Sequence, residues 1–583
     1  MAEALHALRA TAKPPRRRAA GFALAPWLTV LAFGLPILAG LAGTLLPAFG
    51  YLPALGSSTF SVEPWRALFD APGFGVALQA TLLTGWLATL LSLFLAVAIV
   101  AFVYHRPAAR RLGEVIAPLV AMPHSALAIG LAFLIAPSGW LVRWISPGLT
   151  SWNVPPDVSI VGHPSGAALV LALMLKEVPY LVLMLLAALN QVPARAQVAM
   201  ARSLGYGPVQ AWVAVVLPQL YRQIRLPVYA VLAFSLSVVD VALILGPGNP
   251  PTLAVLAVRW FAEPDTRWVF PAAAAATLLL GVVAASVLLW HGGERLAGRL
   301  QQARLLRGVR SGRSHALSGA ATALGALLLG AALLAVLGMA LWSFAAQWRY
   351  PAVLPSAWTV ANWQRQASSV MGPALTTLVV GFTATLVALM LVLACLEHET
   401  RIGQRRGNHG SKGKNGLWLL YLPLLVPQIA FLFGLQVLLV RIGADGRLLS
   451  VIAVHLVFVL PYLFLSLADP WRSFDQRYAR TASSLGASRW RVFWRIKLPI
   501  LLKPVLVACA VAFAVSVGQY LPTLFAGAGR VATLTTEAVT LSAGADRRVI
   551  GVWALLQAVF PLLVFFAASA IPRCLYRHRK ALT

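Results

Sequence analysis

The chain reads as an all-α polytopic membrane protein of about twelve transmembrane helices in two pseudo-symmetric six-helix halves. Three observations predict this. The 583 residues are 60% apolar and only 11% charged, with a mean hydropathy of +0.80, which excludes an ordinary soluble domain. Apolar segments of about 20 residues or more recur along the whole length. The net charge of +30 lies in short loops between those segments. On a soluble chain such a charge would suggest nucleic acid; its placement here points to membrane topology instead.

The spans fall near 25–47, 76–103, 114–136, 165–188, 227–246 and 269–290, then near 318–343, 374–396, 416–440, 448–468, 504–524 and 549–571. Arg9, Lys13 and Arg16 to Arg18 precede the first run. A cleaved signal peptide has similar flanks, but this run is long enough to span and no small-x-small site follows, so it reads as a retained helix. With the N-terminus placed in the cytoplasm and the sides alternating, 35 of the 47 Lys/Arg fall inside. That asymmetry puts both ends of a multi-pass protein in the cytoplasm, with its spans lying in a lipid bilayer.

The expected organisation is a cytoplasmic tail (1–24), a first half (25–290, core 70–290), a basic linker (291–317), a second half (318–571, core 370–570) and a cytoplasmic tail (572–583). The linker carries Arg295, Arg299, Arg304, Arg307, Arg310 and Arg313. The loop at 398–415 is polar and glycine-rich, the composition of a flexible linker. Cys395, Cys509 and Cys574 stand apart, without metal-ligand spacing or a disulfide framework.

The halves repeat one another. Thr81-Leu82 through Gly85 and Thr89 align with Thr377-Leu378 through Gly381 and Thr385. Pro123 precedes Gly130 by seven residues, as Pro427 precedes Gly434; Pro179-Tyr180 matches Pro461-Tyr462, and Asp265 matches Asp546. Such repetition implies two bundles related by an axis along the membrane normal, with a pathway between them.

The strongest repeat is a loop. Ala201, Leu204 and Gly205 lead to Pro218, and Ala482, Leu485 and Gly486 lead to Pro499, with 13 residues from glycine to proline in both copies. Small residues before the glycine permit close helix approach, and the glycine lets the backbone turn where a Cβ would obstruct it. In the second copy Arg489, Arg491, Arg495 and Lys497 keep the next segment in the cytoplasm, while Trp490, Phe493 and Trp494 give it an apolar face. The proline fixes the angle at which the following span begins. A pair of generic interfacial helices is the bland alternative; duplication at equivalent places argues against it.

This loop resembles the "EAA" cytoplasmic loop of the permeases of binding-protein-dependent ABC importers. The chain as a whole is similar to the fused double permeases of the ferric-iron and thiamine group and the YnjC-like proteins, over about 70–290 and 370–570. The resemblance implies that each loop forms a short coupling helix docked in an ATPase subunit. ATP-driven closure of two ATPase copies would rock the halves, and a periplasmic solute-binding protein would deliver the substrate. The acidic residue at the head of the family motif is Ala199 in one copy and Arg480 in the other. There is no Walker A loop: before Gly413-Lys414 the first glycine is replaced by Asn408, and Asn415 follows the lysine. The chain is therefore expected to do no covalent chemistry, to carry no cofactor and to draw its energy from a partner or an ion gradient.

Five polar residues inside the spans are candidates for the pathway: Lys176, Glu177, Asp240, His455 and Gln519. An ion at mid-bilayer costs about 2.5–3.5 kcal/mol on insertion scales. Residues adjacent on a helix do not face one another, so Lys176 and Glu177 need separate partners. Counted from the cytoplasmic face, Lys176 and Asp240 fall at nearly equal depth, which predicts an ion pair between them; Glu177 has no evident partner. His455 and Gln519 read as hydrogen-bonded packing residues.

The alternative is a twelve-helix secondary transporter of the major-facilitator type, which also has parallel halves. The segment from His105 to Glu114 lacks that family's Asp-Arg pair, and the repeated glycine-to-proline loop is foreign to it. A scaffold without transport is a third reading. Neighbouring genes for an ATPase and a secreted binding protein would discriminate the first two. The substrate, whether iron, thiamine, sulfate, polyamine or another solute, is not encoded in any recognisable cluster of this chain.

Overall fold

A computed structural model describes residues 24–104, 108–308, 315–406, 420–544 and 546–577 as a bundle of long helices. The tail with Arg9 to Arg18, the linker residues Arg310 and Arg313, the Gly413-Lys414 stretch and residues 578–583 lie outside the described residues. Among the described residues nine helices are long and apolar enough to cross a membrane. A tenth span forms if Arg489–Ile500 and Leu502–Val517, bent by 74°, count as one. The all-α expectation holds apart from a small antiparallel ladder between Ala345–Gln347 and Ala357–Trp358.

Several expected spans are broken rather than continuous. The third consists of Ala108–Ala121 and His124–Ile135, and the ninth of Leu422–Leu425 and Gln428–Arg441. Each break falls at a proline, Pro123 or Pro427, held extended at φ −60° or −53° as the N-cap of the next helix. Proline has no N–H to donate and its ring blocks the preceding turn, so the helix stops. The fifth span breaks between Leu217–Ser237 and Asp240–Leu245. Two helices overshoot the bilayer. Val269–Leu306 has 38 residues and Ala361–Arg406 has 46. At 1.5 Å per residue they run roughly 57 and 69 Å against about 30 Å of hydrocarbon. Much of the expected linker is therefore the continuation of the first of them.

The leading helix of each half crosses over to the other. Ala25–Ala48 packs chiefly on Gln428–Arg441, and His315–Phe344 packs on His124–Ile135 and Phe74–Val103. Glycine makes both crossings possible. A Cβ on Gly434 would lie 2.0 Å from Gly40 O, and one on Gly130 would lie 2.8 Å from Ala335 O. In the first crossing Thr44 Oγ1 also accepts the Gly434 N–H at 3.0 Å. The spacing Pro123-to-Gly130 and Pro427-to-Gly434 thus marks a helix break followed by a tight crossing.

Other equivalent contacts recur. The Leu253 N–H donates to Thr81 Oγ1 at 2.8 Å, and the Leu534 N–H to Thr377 Oγ1 at 2.9 Å. Asp265 and Asp546 each accept the backbone N–H two residues on and pair with Arg267 and Arg548. The buried core is continuous across the halves. There Phe261 stacks on Phe433 at 4.0 Å, and Gln557 Nε2 donates to both Ser125 Oγ (2.7 Å) and Thr535 Oγ1 (2.8 Å).

Candidate functional site

The two loops share one backbone. Helices Ala194–Ser203 and Gln476–Ser484 rise to Gly205 and Gly486, at φ +89° and +82°. A Cβ would strain these left-handed positions by about 1–2 kcal/mol. Short helices follow, Pro208–Ala211 and Arg489–Val492, then π-helical turns, Trp212–Val216 and Phe493–Lys497. The π turn follows from the proline. Pro218 and Pro499 cannot donate to the carbonyl four residues back, and the ladder widens ahead of them, Leu217 N–H reaching Trp212 O and Leu498 N–H reaching Phe493 O.

The predicted loop residues divide into a tip and a base. Leu204, Gly205, Leu485 and Gly486 are exposed at the tip, the leucines by 60% and 84%. Met200, Tyr478, Trp490 and Trp494 are exposed beside them. Ala201 is buried and Ala482 half-buried, so these small residues serve packing; Pro218 and Pro499 begin the following helices. Exposed apolar residues ringed by arginine form a surface fit for a protein partner.

Each loop is anchored by groups that the motif does not contain. At the first, Glu294 of Val269–Leu306 accepts Tyr221 Oη (2.5 Å) and Tyr229 Oη (3.1 Å). Arg225 Nε lies 2.9 Å from the same carboxylate as a charge contact, its N–H directed elsewhere. Gln301 donates to Val213 O and Ala214 O at 3.3 and 3.0 Å, carbonyls that the π turn frees, and Gln219 donates to Val215 O. At the second, buried Lys497 pairs with Glu397 of Ala361–Arg406 at 3.0 Å, with Trp471 under its ammonium at 4.1 Å. Arg401 shares Glu397, and Arg472 grips Glu399 through two 3.0 Å bonds. Sequence reasoning missed the acids Glu294, Glu397 and Glu399, and it expected Lys497 to serve as a cytoplasmic charge, whereas Lys497 is buried against Glu397. The available signal for the acids was their rarity, in basic helix ends of a chain with 17 Asp and Glu in all.

The expected Lys176–Asp240 pair is absent. Lys176 Nζ donates instead to Leu119 O (3.3 Å), Val120 O (2.6 Å) and Met122 O. The break at Pro123 leaves Val120 O and Met122 O outside the helical ladder, while Leu119 O also accepts the Met122 N–H at 3.3 Å, and the negative end of Ala108–Ala121 attracts a cation. Asp240 opens the helix Asp240–Leu245, its carboxylate facing the backbone N–H groups of Asp240 and Val241. The positive helix end supplies its counter-charge. Glu177 Oε1 lies 3.8 Å from His124 Nε2, and its carboxylate is within electrostatic range of Tyr180 and Tyr462, one phenol from each half.

His455 is buried, with Nδ1 2.9 Å from Ser516 Oγ and Nε2 2.9 Å from Thr523 Oγ1. Thr523 spends its own proton on Gln519 O, so it must accept from the imidazole. That puts a proton on Nε2 of the ring. The side-chain oxygen of Gln519 is buried without a hydrogen-bond partner.

A helical membrane bundle with two matched basic loops has the architecture of a transport permease subunit. Comparison with known proteins makes the class specific. Residues 413–578 match the family described as "binding-protein-dependent transport system inner membrane component". The inner membrane ABC transporter permease protein YnjC of Escherichia coli K12 is 33% identical over 521 residues, 89% of this chain and 92% of that protein. The molybdenum transport system permease protein ModB of Mycobacterium tuberculosis is 34% identical over 130 residues, 20% of this chain and 49% of its own. The spermidine/putrescine permease protein PotC of Haemophilus influenzae is 26% identical over 107 residues, 18% of this chain and 42% of its own. The chain belongs to the inner-membrane permeases of binding-protein-dependent ABC transporters. It is a multi-pass membrane protein that forms a translocation pathway, and the major-facilitator alternative is set aside.

Proposed function

We propose that this chain supplies both permease halves of an ABC importer, as twelve spans in two six-helix halves (25–290 and 318–571) with both termini cytoplasmic. The observation that carries the reading is the pair of loops with one backbone course, equivalent residues separated by 281 positions from Gly205/Gly486 through the π turns to Pro218/Pro499. Each loop docks one of two copies of an ABC ATPase. Leu204 and Leu485 enter the ATPase groove, the glycines set the turn, and Ala201, Ala482, Pro218 and Pro499 hold the base. A single solute-binding protein docks on the opposite face.

Lys176 and Asp240 serve as internal caps of broken helices. Glu177, with His124, Tyr180 and Tyr462, faces the pathway between the halves. His455 packs the second half, and Gln519 presents the polar atom left for a passing solute. The relatives are named for solutes as unlike as molybdenum and spermidine/putrescine, so selectivity is assigned to the binding protein. The test is reconstitution in liposomes with ATPase and binding protein. Uptake should require enclosed ATP and persist without a proton gradient; uptake by the permease alone, driven by a pH gradient, would overturn the reading.

A further inference from the structure

We propose that Glu294 and Glu397 are the positioning residues of the two coupling loops, each setting its loop at the angle from which it engages the ATPase. The proposal rests on the importer reading above and goes beyond it, because neither residue lies in a loop.

The loops carry almost no carboxylate of their own. Asp and Glu are missing from Ala194 to Pro218; in the equivalent stretch from Asp475 to Pro499 only Asp475 is acidic, and it caps the entering helix by accepting the Arg477 N–H, while the stretch carries five arginines and Lys497. A basic loop of this kind has no internal counter-charge to fix the helix that leaves it. The carboxylate comes from outside in both cases, and from a helix that overshoots the membrane. Glu294 lies in the extension of Val269–Leu306; its side chain is 8% exposed and draws Tyr221, Tyr229 and Arg225 of Leu217–Ser237 to one point. Glu397 lies near the end of Ala361–Arg406; its side chain is 12% exposed and holds Lys497, the last residue of the second π turn.

The first brace extends along its helix. Trp290, Glu294 and Gln301 follow at intervals of four and seven residues, which place them on one face. Trp290 Nε1 donates to Tyr221 Oη at 2.8 Å, and Gln301 donates into the π turn itself. The face therefore contacts both the loop and the helix leaving it. These contacts fix two points along a rigid helix, as a lever needs. The second brace has one point, the ion pair, over the Trp471 ring. The two carboxylates are not equivalents in the repeat. One helix follows its loop in the chain and the other precedes it, so each half reaches the same end by its own route.

The experiment titrates purified ATPase subunit against folded permease in lipid nanodiscs and measures apparent affinity and MgATP hydrolysis. Glu294→Leu, and the pair Glu397→Gln with Lys497→Met, should each weaken ATPase affinity by roughly fivefold or more, the low end of ordinary coupling between sites. The KM for ATP should not change. The paired substitution removes the cation as well as the anion, so folded protein is recovered. Glu294→Asp and Glu397→Asp should restore part of the affinity. A purely structural role would lower the amount of folded permease and leave the affinity of the surviving molecules at the wild-type value; that result would overturn the proposal. Wild-type permease that fails to bind the ATPase at all would overturn the importer reading beneath it, a distinct outcome.

Discussion

The first and second glycine-to-proline loops trace the same backbone with different chemistry. In the first, the position before the final helix is Val216, buried and apolar; in the second it is Lys497, buried and paired with Glu397. The first loop is laced by amides, Gln197 and Gln219 bonding reciprocally at 3.3 and 2.9 Å, where the second has Tyr478 and Ile500. The second is capped by Asp475 and Ser488, where the first has Ala194 and Gly207. What the two share is what the backbone requires: a glycine at positive φ and a proline after a π turn. The geometry of the loop is thus set by two residues, and the rest of each loop is free to find its own anchors.

Exchange at the unlike position should break the comparison most sharply. Val216→Lys buries an ammonium with no carboxylate placed to meet it, a mismatch worth several kcal/mol, and folded permease should be nearly lost from membranes. Lys497→Val leaves Glu397 with Arg401, and should lower folded protein by less. Quantifying folded protein by fluorescence size-exclusion of a tagged permease reads both; equal losses would mean that the lysine pair contributes nothing specific.

The crossings give the next largest effect. Gly434→Ala drives a methyl to 2.0 Å from Gly40 O, whereas Gly130→Ala meets Ala335 O at 2.8 Å. Overpacking of this kind costs about 1–3 kcal/mol, and the first variant should melt at the lower temperature. The reverse order in a thermal shift measurement would contradict the stated geometry.

Smaller effects should be equal in the two loops. Gly205→Ala and Gly486→Ala each strain a left-handed residue at an exposed tip, by about 1–2 kcal/mol. Similar losses of thermal stability are expected, and unequal ones would show that the anchors, not the backbone, decide the turn.

The smallest effect concerns the outer caps. Arg267 holds the Asp265 carboxyl below the usual carboxylate range by hydrogen bonding, and Arg548 does the same for Asp546. A folded-state pKa below the unfolded value gives stability that is present above the unfolded value and lost as pH falls through the folded one. The melting difference between wild type and Asp546→Asn should therefore begin to shrink as pH drops below about 4 and vanish only below the depressed folded value. Asp265 is as exposed as Asp546, but its partner Arg267 is 90% exposed against 40% for Arg548, so the same substitution there should have less effect at any pH.

Much of this was legible in the sequence. Apolar segments and loop arginines locate most of the helices, and the glycine-to-proline spacing locates both loops, because those features are local. The failures are equally physical. Depth counting paired Lys176 with Asp240 because it assumed unbroken helices. Pro123 and the break at Val238-Val239 instead expose helix ends, whose carbonyl and N–H groups satisfy each charge locally. The third, fifth and ninth spans, expected to be continuous, are each split, the third and ninth at a proline. The anchors Glu294, Gln301 and Glu397 escaped notice because they lie 73, 87 and 100 residues from the groups they meet. Nothing in a linear pattern joins positions so far apart when they do not repeat between the halves.

The most direct test of the central claim is the combined variant Gly205→Trp and Gly486→Trp, expressed with its ATPase and purified from membranes. Both glycines lie at exposed tips, and the surroundings of Gly486 are open, so the permease should still insert and fold. The account predicts that the variant is recovered in the membrane fraction without bound ATPase. Recovery with a wild-type complement of ATPase would contradict it.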